Sequence, residues 1–312
     1  MIVASIDIGS NTVLLLMAEV SIETFEIMNS TTIYRVPRIS EGVRENLIIN
    51  STREKLLYAT LKDFHNVIEE YSCKVVLPVA TNAFRIAQNA ELIINKIKTT
   101  FGWNVKIISG DKEAQLTFLG AASPFCDNSK KAVIDIGGGS TEIVYGNQDS
   151  IEYKNSFALG VVSLTEKFFK HNPPFIEEID KAIAEIDVTI KPILDLPNPN
   201  NVIAVAGTPT TLACIKNNIR IYDDSLVDNE VLTDSEVKSM RVKLMTMAHE
   251  QVKEKYGDVV SGREDVLLAG TLILERIMNA MCLNQITVSS RGLRYGVVYD
   301  YLKSISNSPG RK

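Results

Sequence analysis

Apolar residues fill the start of the chain in two runs, at 3–8 and 13–17, separated by Gly9-Ser10-Asn11-Thr12. Apolar runs of this length bounded by turn residues predict buried strands joined in a hairpin. The same plan returns at 132–136 and 142–145, around Gly137-Gly138-Gly139-Ser140-Thr141. Both hairpins contain Ile-Asp-Ile-Gly, at Ile6–Gly9 and Ile134–Gly137.

Between the hairpins, residues 25–33 predict a third strand and 34–50 a loop carrying Arg35, Arg38 and Arg44. Residues 51–71 have helical spacing, with Leu56, Leu57, Leu61, Phe64, Val67 and Ile68 on one face. A strand at 74–80, a helix at 90–100, a strand at 105–108 and a helix at 111–121 follow. This alternation predicts an α/β domain. The stretch 121–129 separates it from a second half of similar plan, with the boundary at Ser123. There we expect strands at 142–145, 150–157, 201–205 and 286–288. Helices are expected at 164–169, 176–190, from Pro209, and at 234–255, 263–281 and 293–304. The loop 195–201, rich in Pro and Asn, reads as a surface connection.

Composition changes this picture little. The chain has 312 residues, 45% hydrophobic and 23% charged, which is enough for two domain cores. No run of about 18 uncharged apolar residues predicts a membrane helix, and the first residues lack the pattern of a signal peptide. Four cysteines (Cys73, Cys126, Cys214, Cys282) form no C-x-x-C pair, so reduced, mostly packed thiols in a cytoplasmic protein are expected. A net charge of −5 argues against nucleic-acid binding. A polyanionic substrate would need local basic residues and a metal ion instead.

A carboxylate at a strand end beside a tight turn of backbone N–H groups can hold a hydrated divalent cation and a phosphate. One Asp-x-Gly hairpin alone reads as turn chemistry. The repeat shifts the weighing, because Asp135 leads into three glycines, which suit close approach of the main chain to phosphate oxygens. Asp135 is therefore the leading metal-linked carboxylate, with Asp7 its counterpart in the first half. Glu142 reads either as a strand residue or as a support of the same metal.

Three other segments offer chemistry beside plainer readings. Gly207-Thr208-Pro209 ends a strand with Pro209 at the start of a helix, so Gly207 and Thr208 would bind phosphate or simply cap. Glu113, after Ser109-Gly110-Asp111-Lys112, is a general base or a helix-dipole residue. Arg85 is a bidentate phosphate clamp or a surface ion-pair partner. His65, His171 and His249 share no motif and read as structural or solvated; no zinc or Ser-His-Asp pattern is apparent.

Taken together these motifs resemble the exopolyphosphatase/guanosine pentaphosphate phosphatase family. Asp7–Thr12 and Asp135–Glu142 resemble its two phosphate motifs, and Ala80–Arg85 its Ala-Thr-x-x-x-Arg. Ile108–Ala114 resembles its Ile-Ser-Gly-x-x-Glu-Ala, and Ala269-Gly270 and Ser290–Gly296 also fit. The matches run in order over nearly the whole chain.

The resemblance implies two actin-like lobes around an interdomain cleft, in the ribonuclease H-like superfamily of sugar kinases and chaperone ATPases. It implies a first domain at 1–123, a second at 124–298, and a C-terminal helix at about 299–312 packing back on the first. It implies Mg²⁺-dependent hydrolysis (with Mn²⁺ as substitute) that releases terminal orthophosphate from inorganic polyphosphate or guanosine pentaphosphate, the latter giving the tetraphosphate. Glu113 takes the catalytic position, Asp135 and Glu142 match acidic positions linked to metal, and Arg85 matches a phosphate-contacting arginine. Beside these, Asp7 is expected at the metal from the hairpin reading, Ser10, Asn11, Gly138, Gly139, Ser140 and Thr141 at phosphate from the glycine turns, and Gly207 and Thr208 from the helix start alone. No membrane or nucleic-acid partner is implied, and a homodimer is compatible with the family.

One departure stands out. Lys112 precedes Glu113 where a second acidic residue is common, so its charge is expected to perturb the base and lends weight to a non-catalytic alarmone or polyphosphate sensor. An ATP-dependent kinase or ATPase on the same fold is the other alternative. The length matches the short, two-domain form.

Overall fold

The computed structural model describes residues 1–124, 128–147, 149–197, 199 and 201–306. Cys126, Asn198 and Asn200 of the two connecting stretches, and 307–312 of the expected last helix, lie outside the described residues. The chain forms two compact units: Met1–Ser123 with the chain from Arg291 onward, and Pro124–Ser290.

In the first unit the strands are β1 (Ile2–Ile8), β2 (Val13–Val20), β3 (Ile27–Arg35), β4 (Val75–Ala80) and β5 (Lys106–Ile107). They lie in the order β3-β2-β1-β4-β5. The first three form an antiparallel meander, and β4 and β5 continue parallel to β1. In the second unit they are β6 (Lys131–Ile136), β7 (Thr141–Gly146), β8 (Ile151–Phe157), β9 (Asn201–Val205), β10 (Val231–Thr233) and β11 (Gln285–Val288). Their order is β8-β7-β6-β9-β11-β10, the same meander and parallel pair with β10 added antiparallel at the edge. This duplicated plan is that of two actin-like lobes. β10 escapes the sequence because three residues are too few to show alternation.

Strand periodicity gives the first sheet two different faces. Ala4, Ile6, Ile8, Val13, Leu15 and Met17 face one core. Covering it is the helix Ser51–Glu70, whose Leu57, Leu61, Phe64 and Ile68 recur every three or four residues and are all buried. Asn50 starts this helix by accepting the N–H of Arg53 at 2.9 Å. Ser72, at φ 52°, stops it. Each such side chain contributes about 1.5–3 kcal/mol when fully buried.

The opposite face carries Val3, Leu16, Ala18 and Val20, packed against Tyr295, Val298 and Leu302 of the helix Leu293–Ser306. Leu293 and Val297 also pack on Val79, Ile108 and Leu116. The chain therefore returns to the first unit at Arg291, eight residues before the expected 299. Glycine makes this close packing feasible. A Cβ on Gly296 would lie 1.8 Å from the Leu116 carbonyl oxygen, and one on Gly120 2.2 Å from that of Gly292. The helix Gly110–Ala122, which carries Glu113, is thereby locked against the last helix.

The second core lies on the face of Ala132, Ile134, Ile136, Ile143 and Tyr145, against the nearly all-buried helix Leu267–Ala280. The single helix expected at 234–255 is two, Asp234–Leu244 and His249–Tyr256. A new start intervenes because Gln251 accepts the N–H of Ala248 at 2.8 Å and Asn172 that of His249 at 3.0 Å. The helix expected from Arg263 begins at Leu267, after Gly262 at φ 74°. A short helix, Val43–Asn46, interrupts the expected 34–50 loop. Among the described residues no helix is long and apolar enough to cross a membrane.

Candidate active site

The two Ile-Asp-Ile-Gly hairpins fold alike. Gly9 donates to the Thr12 carbonyl at 3.1 Å, and Gly137 to the Ser140 carbonyl at 2.9 Å, so each turn has four residues. A Cβ on Gly9 would stand 2.7 Å from that Thr12 oxygen, which requires glycine there.

Each turn is braced from outside through its carbonyls. In the first unit Ser40 N–H donates to Ser10 O at 2.9 Å and Arg38 N–H to Asn11 O at 3.0 Å. In the second, Val161 N–H donates to Gly137 O at 3.0 Å and Val162 N–H to Gly138 O at 2.9 Å, at the start of the helix Val161–Phe168. A planar trans peptide points its N–H away from its C=O. The bracing therefore directs the N–H groups of Asn11 and Thr12, and of Gly138 and Gly139, to the side opposite the brace. That is the arrangement of an anion-binding nest. Gly160 makes the second contact feasible, since its Cβ would lie 2.4 Å from Gly138 O.

The hairpins differ in their carboxylates. Asp7 stands opposite Leu14, whereas Asp135 stands opposite Glu142. Directly opposed residues share a sheet face, with Cβ atoms about 4.5–5.5 Å apart, and like charges there cost stability. Glu142 is buried and accepts from Ser156 Oγ at 2.5 Å. Two hard oxygen donors on one face suit Mg²⁺, which is held by one or two carboxylates plus substrate phosphates. Among the described residues no group of three or more His, Cys, Asp or Glu is gathered for a metal. Asp7 lies in the first unit on the face of Ser5 and Val3 and has no carboxylate opposite.

Of the expected phosphate residues, Ser10, Asn11, Ser140, Thr141 and Thr208 are buried. Ser10 Oγ and Asn11 Oδ1 have no hydrogen-bond partner among the described residues. Thr141 is different: its hydroxyl donates to the Leu159 carbonyl at 2.6 Å in full burial, which makes it a support of the turn.

Glu113 lies in the first turn of its helix, which Ser109 starts by accepting the Lys112 N–H at 3.2 Å. It is buried, and Arg85 Nη1 donates to its Oε2 at 2.6 Å. The same nitrogen donates to Ile108 O at 3.0 Å. Burial pushes the Glu113 carboxyl above the usual range, while the Arg85 guanidinium pulls against it. Arg85 is thus fixed on the carboxylate, a partnership that neither motif reveals alone. Lys112 does not face Glu113; it reaches Asp300 on the last helix at 2.9 Å. The charge expected to perturb the base comes from Arg85 instead.

In the second unit Gly207 opens the helix Gly207–Lys216, so Pro209 is its third residue and not its first. A Cβ on Gly207 would meet Arg263 Nη1 at 1.6 Å, and one on Gly270 would meet Thr208 Oγ1 at 2.0 Å. Arg263 over this turn is a cation the sequence reading missed, because it lies some 56 residues away, between positions 207 and 263. Ala206, at φ 74° and ψ −169°, holds a conformation that is essentially glycine-only.

The remaining candidates are structural. His65 contacts the rings of Phe101 and Trp103, and His171 pairs with Glu178 at 2.9 Å. His249 starts its helix. Cys214 is buried and Cys73 half-buried, but Cys282 is exposed, contrary to a packed thiol.

The model of the Ppx/GppA phosphatase family matches residues 18–305. The chain is 32% identical to the bifunctional 3-dehydroquinate synthase/phosphatase of Fusobacterium nucleatum, over 95% of this chain and 46% of that protein. It is 25% identical to the guanosine-5'-triphosphate,3'-diphosphate pyrophosphatase of Aliivibrio fischeri, over 97% and 60%. It thus spans about half to three-fifths of these two relatives. Exopolyphosphatase 2 of Mycobacterium tuberculosis is matched along almost its full length, at 27% identity over 95% of this chain and 97% of that protein. Among solved structures, an Aquifex aeolicus Ppx/GppA family member superposes with a TM-score of 0.81 at 30% identity, covering 99% of both chains. On a family match over residues 18–305, therefore, the chain belongs to the Ppx/GppA phosphatase family.

Proposed function

We propose that the protein is a phosphoanhydride hydrolase that releases terminal orthophosphate from inorganic polyphosphate, from guanosine pentaphosphate, or from both. The observation that carries this reading is Glu113: a buried carboxylate at a helix start, raised by burial and oriented by Arg85. A base whose pKa moves toward neutrality is suited to take a proton from water.

In this reading Glu113 orients a water and accepts its proton as the water attacks the terminal phosphorus in line, and the bridging P–O bond opposite breaks so that its oxygen leaves with the shortened chain. The N–H groups of the two braced turns, with Ser10 and Asn11, hold phosphate oxygens; Ser140, Gly207 and Thr208 are further contacts. Arg85 divides its donors between Glu113 and the phosphate. Asp135 and Glu142 of the second unit would hold Mg²⁺, Asp7 is proposed as a metal carboxylate of the first unit, and Mn²⁺ is the expected substitute. The metal's contribution, when bound, is to offset phosphate charge. Most of the rate then comes from positioning and electrostatics. A cytoplasmic location and a homodimer belong to the same proposal.

Lys112 was the one feature favouring a non-catalytic sensor, and its pairing with Asp300 removes that support. The deciding experiment is phosphate release from polyphosphate, guanosine pentaphosphate and ATP, side by side, with and without Mg²⁺. Release from either of the first two, reduced about 10²–10⁴-fold by Glu113→Gln, is the expected result. Release from ATP alone would overturn the reading.

A further inference from the structure

The loop that braces the first hairpin brings a side chain of its own. Ser40 donates its backbone N–H to Ser10 O, and two residues earlier Arg38 donates to Asn11 O. The loop is itself held: Val43 N–H donates to Ser40 O at 2.9 Å. From the helix Ser51–Glu70, Arg53 Nη1 donates to Pro37 O at 3.5 Å and Nη2 to the Glu41 carboxylate. Ser40 is thus fixed beside the turn by several bonds.

Among the described residues three side-chain atoms there are buried without a hydrogen-bond partner: Ser10 Oγ, Asn11 Oδ1 and Ser40 Oγ. Their residues are 4%, 7% and 9% exposed. Leaving a buried polar atom unsatisfied is costly, and three on adjoining segments imply a polar ligand. The two hydroxyls are donors. Turning the Asn11 amide over about its terminal torsion exchanges its oxygen for the NH₂ at the same place, giving a third.

We propose that Ser40 is a third phosphate-binding side chain, acting with Ser10 and Asn11 to hold one tetrahedral phosphate group of a phosphoanhydride chain. This rests on the function proposed above. It adds a residue outside every motif that suggested that function. The hydroxyl of Ser40 donates to a phosphate oxygen, beside the N–H groups that the brace turns toward the ligand.

The test is binding of inorganic tripolyphosphate by titration calorimetry in the Glu113→Gln protein, where the chain is not consumed. Ser40→Ala and Ser40→Cys are compared, since a thiol keeps the shape but donates weakly. Each should weaken binding by about tenfold, the effect of one hydrogen bond to a charged group. Without ligand, Ser40→Ala should melt about 2–4 °C higher, because it removes an orphaned hydroxyl. Affinity unchanged in both variants, with Ser10→Ala weakened, overturns the role of Ser40 and leaves the proposed function standing. Weaker binding with a lowered melting temperature overturns it too, by making Ser40 a structural brace. If the Glu113→Gln parent binds no tripolyphosphate and the native protein releases no phosphate, the proposed function fails and this inference with it.

Discussion

Arg85 Nη1 lies 2.6 Å from Glu113 Oε2 and 3.0 Å from the Ile108 carbonyl, so one nitrogen ties the candidate base to the strand end behind it. Both side chains are largely withdrawn from solvent, at 21% and 10% exposure. At such a pair the removal of one partner changes the protonation of the other.

Replacing Arg85 should therefore move the acid limb of the pH–rate profile. Burial raises the Glu113 pKa and Arg85 lowers it. In Arg85→Gln the lowering influence is gone, so the carboxyl titrates at still higher pH. The acid-limb midpoint of kcat/KM should shift upward, whatever the height of the profile. A midpoint that stays or falls would show that another group governs the limb.

Glu113→Gln should reduce phosphate release by about 10²–10⁴-fold, the usual worth of a general base. It should also change stability with a definite sign. Glu113 has a folded pKa above its unfolded one, so the native state binds the extra proton between the two values. Native stability is then lost as pH rises through that window, and the neutral amide escapes this loss. Melting temperature of the variant minus that of the parent should rise as pH climbs above the ordinary glutamate value of 4.5 and then level. A difference independent of pH would contradict the raised pKa.

Lys112→Ala should leave kcat/KM within about twofold of the parent and cost at most about 1 kcal/mol, as exposed ion pairs do. Its partner is Asp300, and the two side chains are 38% and 52% exposed. A tenfold change in rate would return Lys112 to the neighbourhood of the base.

What the sequence revealed and what it hid follows from the range of each interaction. The doubled hairpins were legible because a strand pair and its turn are encoded within a short run of consecutive residues, and glycine marks where a Cβ cannot fit. Glu113 was legible from its place at a helix start. Its partnership with Arg85 was not, since 28 residues separate them and either fits a plain reading. Ser40 carried no local signal: a serine in an arginine-bearing loop gives no hint that its backbone braces Ser10. Thr141 illustrates the converse, a hydroxyl beside a glycine turn that serves the Leu159 carbonyl. Lys112 misleads because adjacency in sequence is not adjacency in space: consecutive helical positions diverge by about 100°.

Asp135→Asn should separate metal binding from catalysis. Asp135 and Glu142 are directly opposed on β6 and β7, and opposed like charges are destabilising. Without divalent metal, the variant should melt at or above the parent temperature. With Mg²⁺ the parent should gain stability as a ligand-bound native state does, and the variant should gain little. Equal Mg²⁺ stabilisation of both proteins in thermal melts would remove Asp135 from the metal site.

Gly296→Ala tests the packing that positions Glu113. The added methyl would lie 1.8 Å from the Leu116 carbonyl oxygen, and main chain cannot rotate aside as a side-chain tip does. Alanine is the better helix former by about 1 kcal/mol, which favours the variant. Overpacking costs about 1–3 kcal/mol and sits at the upper end against backbone, so a net loss of about 2 kcal/mol is expected. It should appear as a lower urea midpoint with unchanged m-value. Because Leu116 lies one turn beyond Glu113 on the same helix, activity should fall more than the folded fraction alone accounts for. A stable variant of full activity would mean that the two helices separate without moving the base.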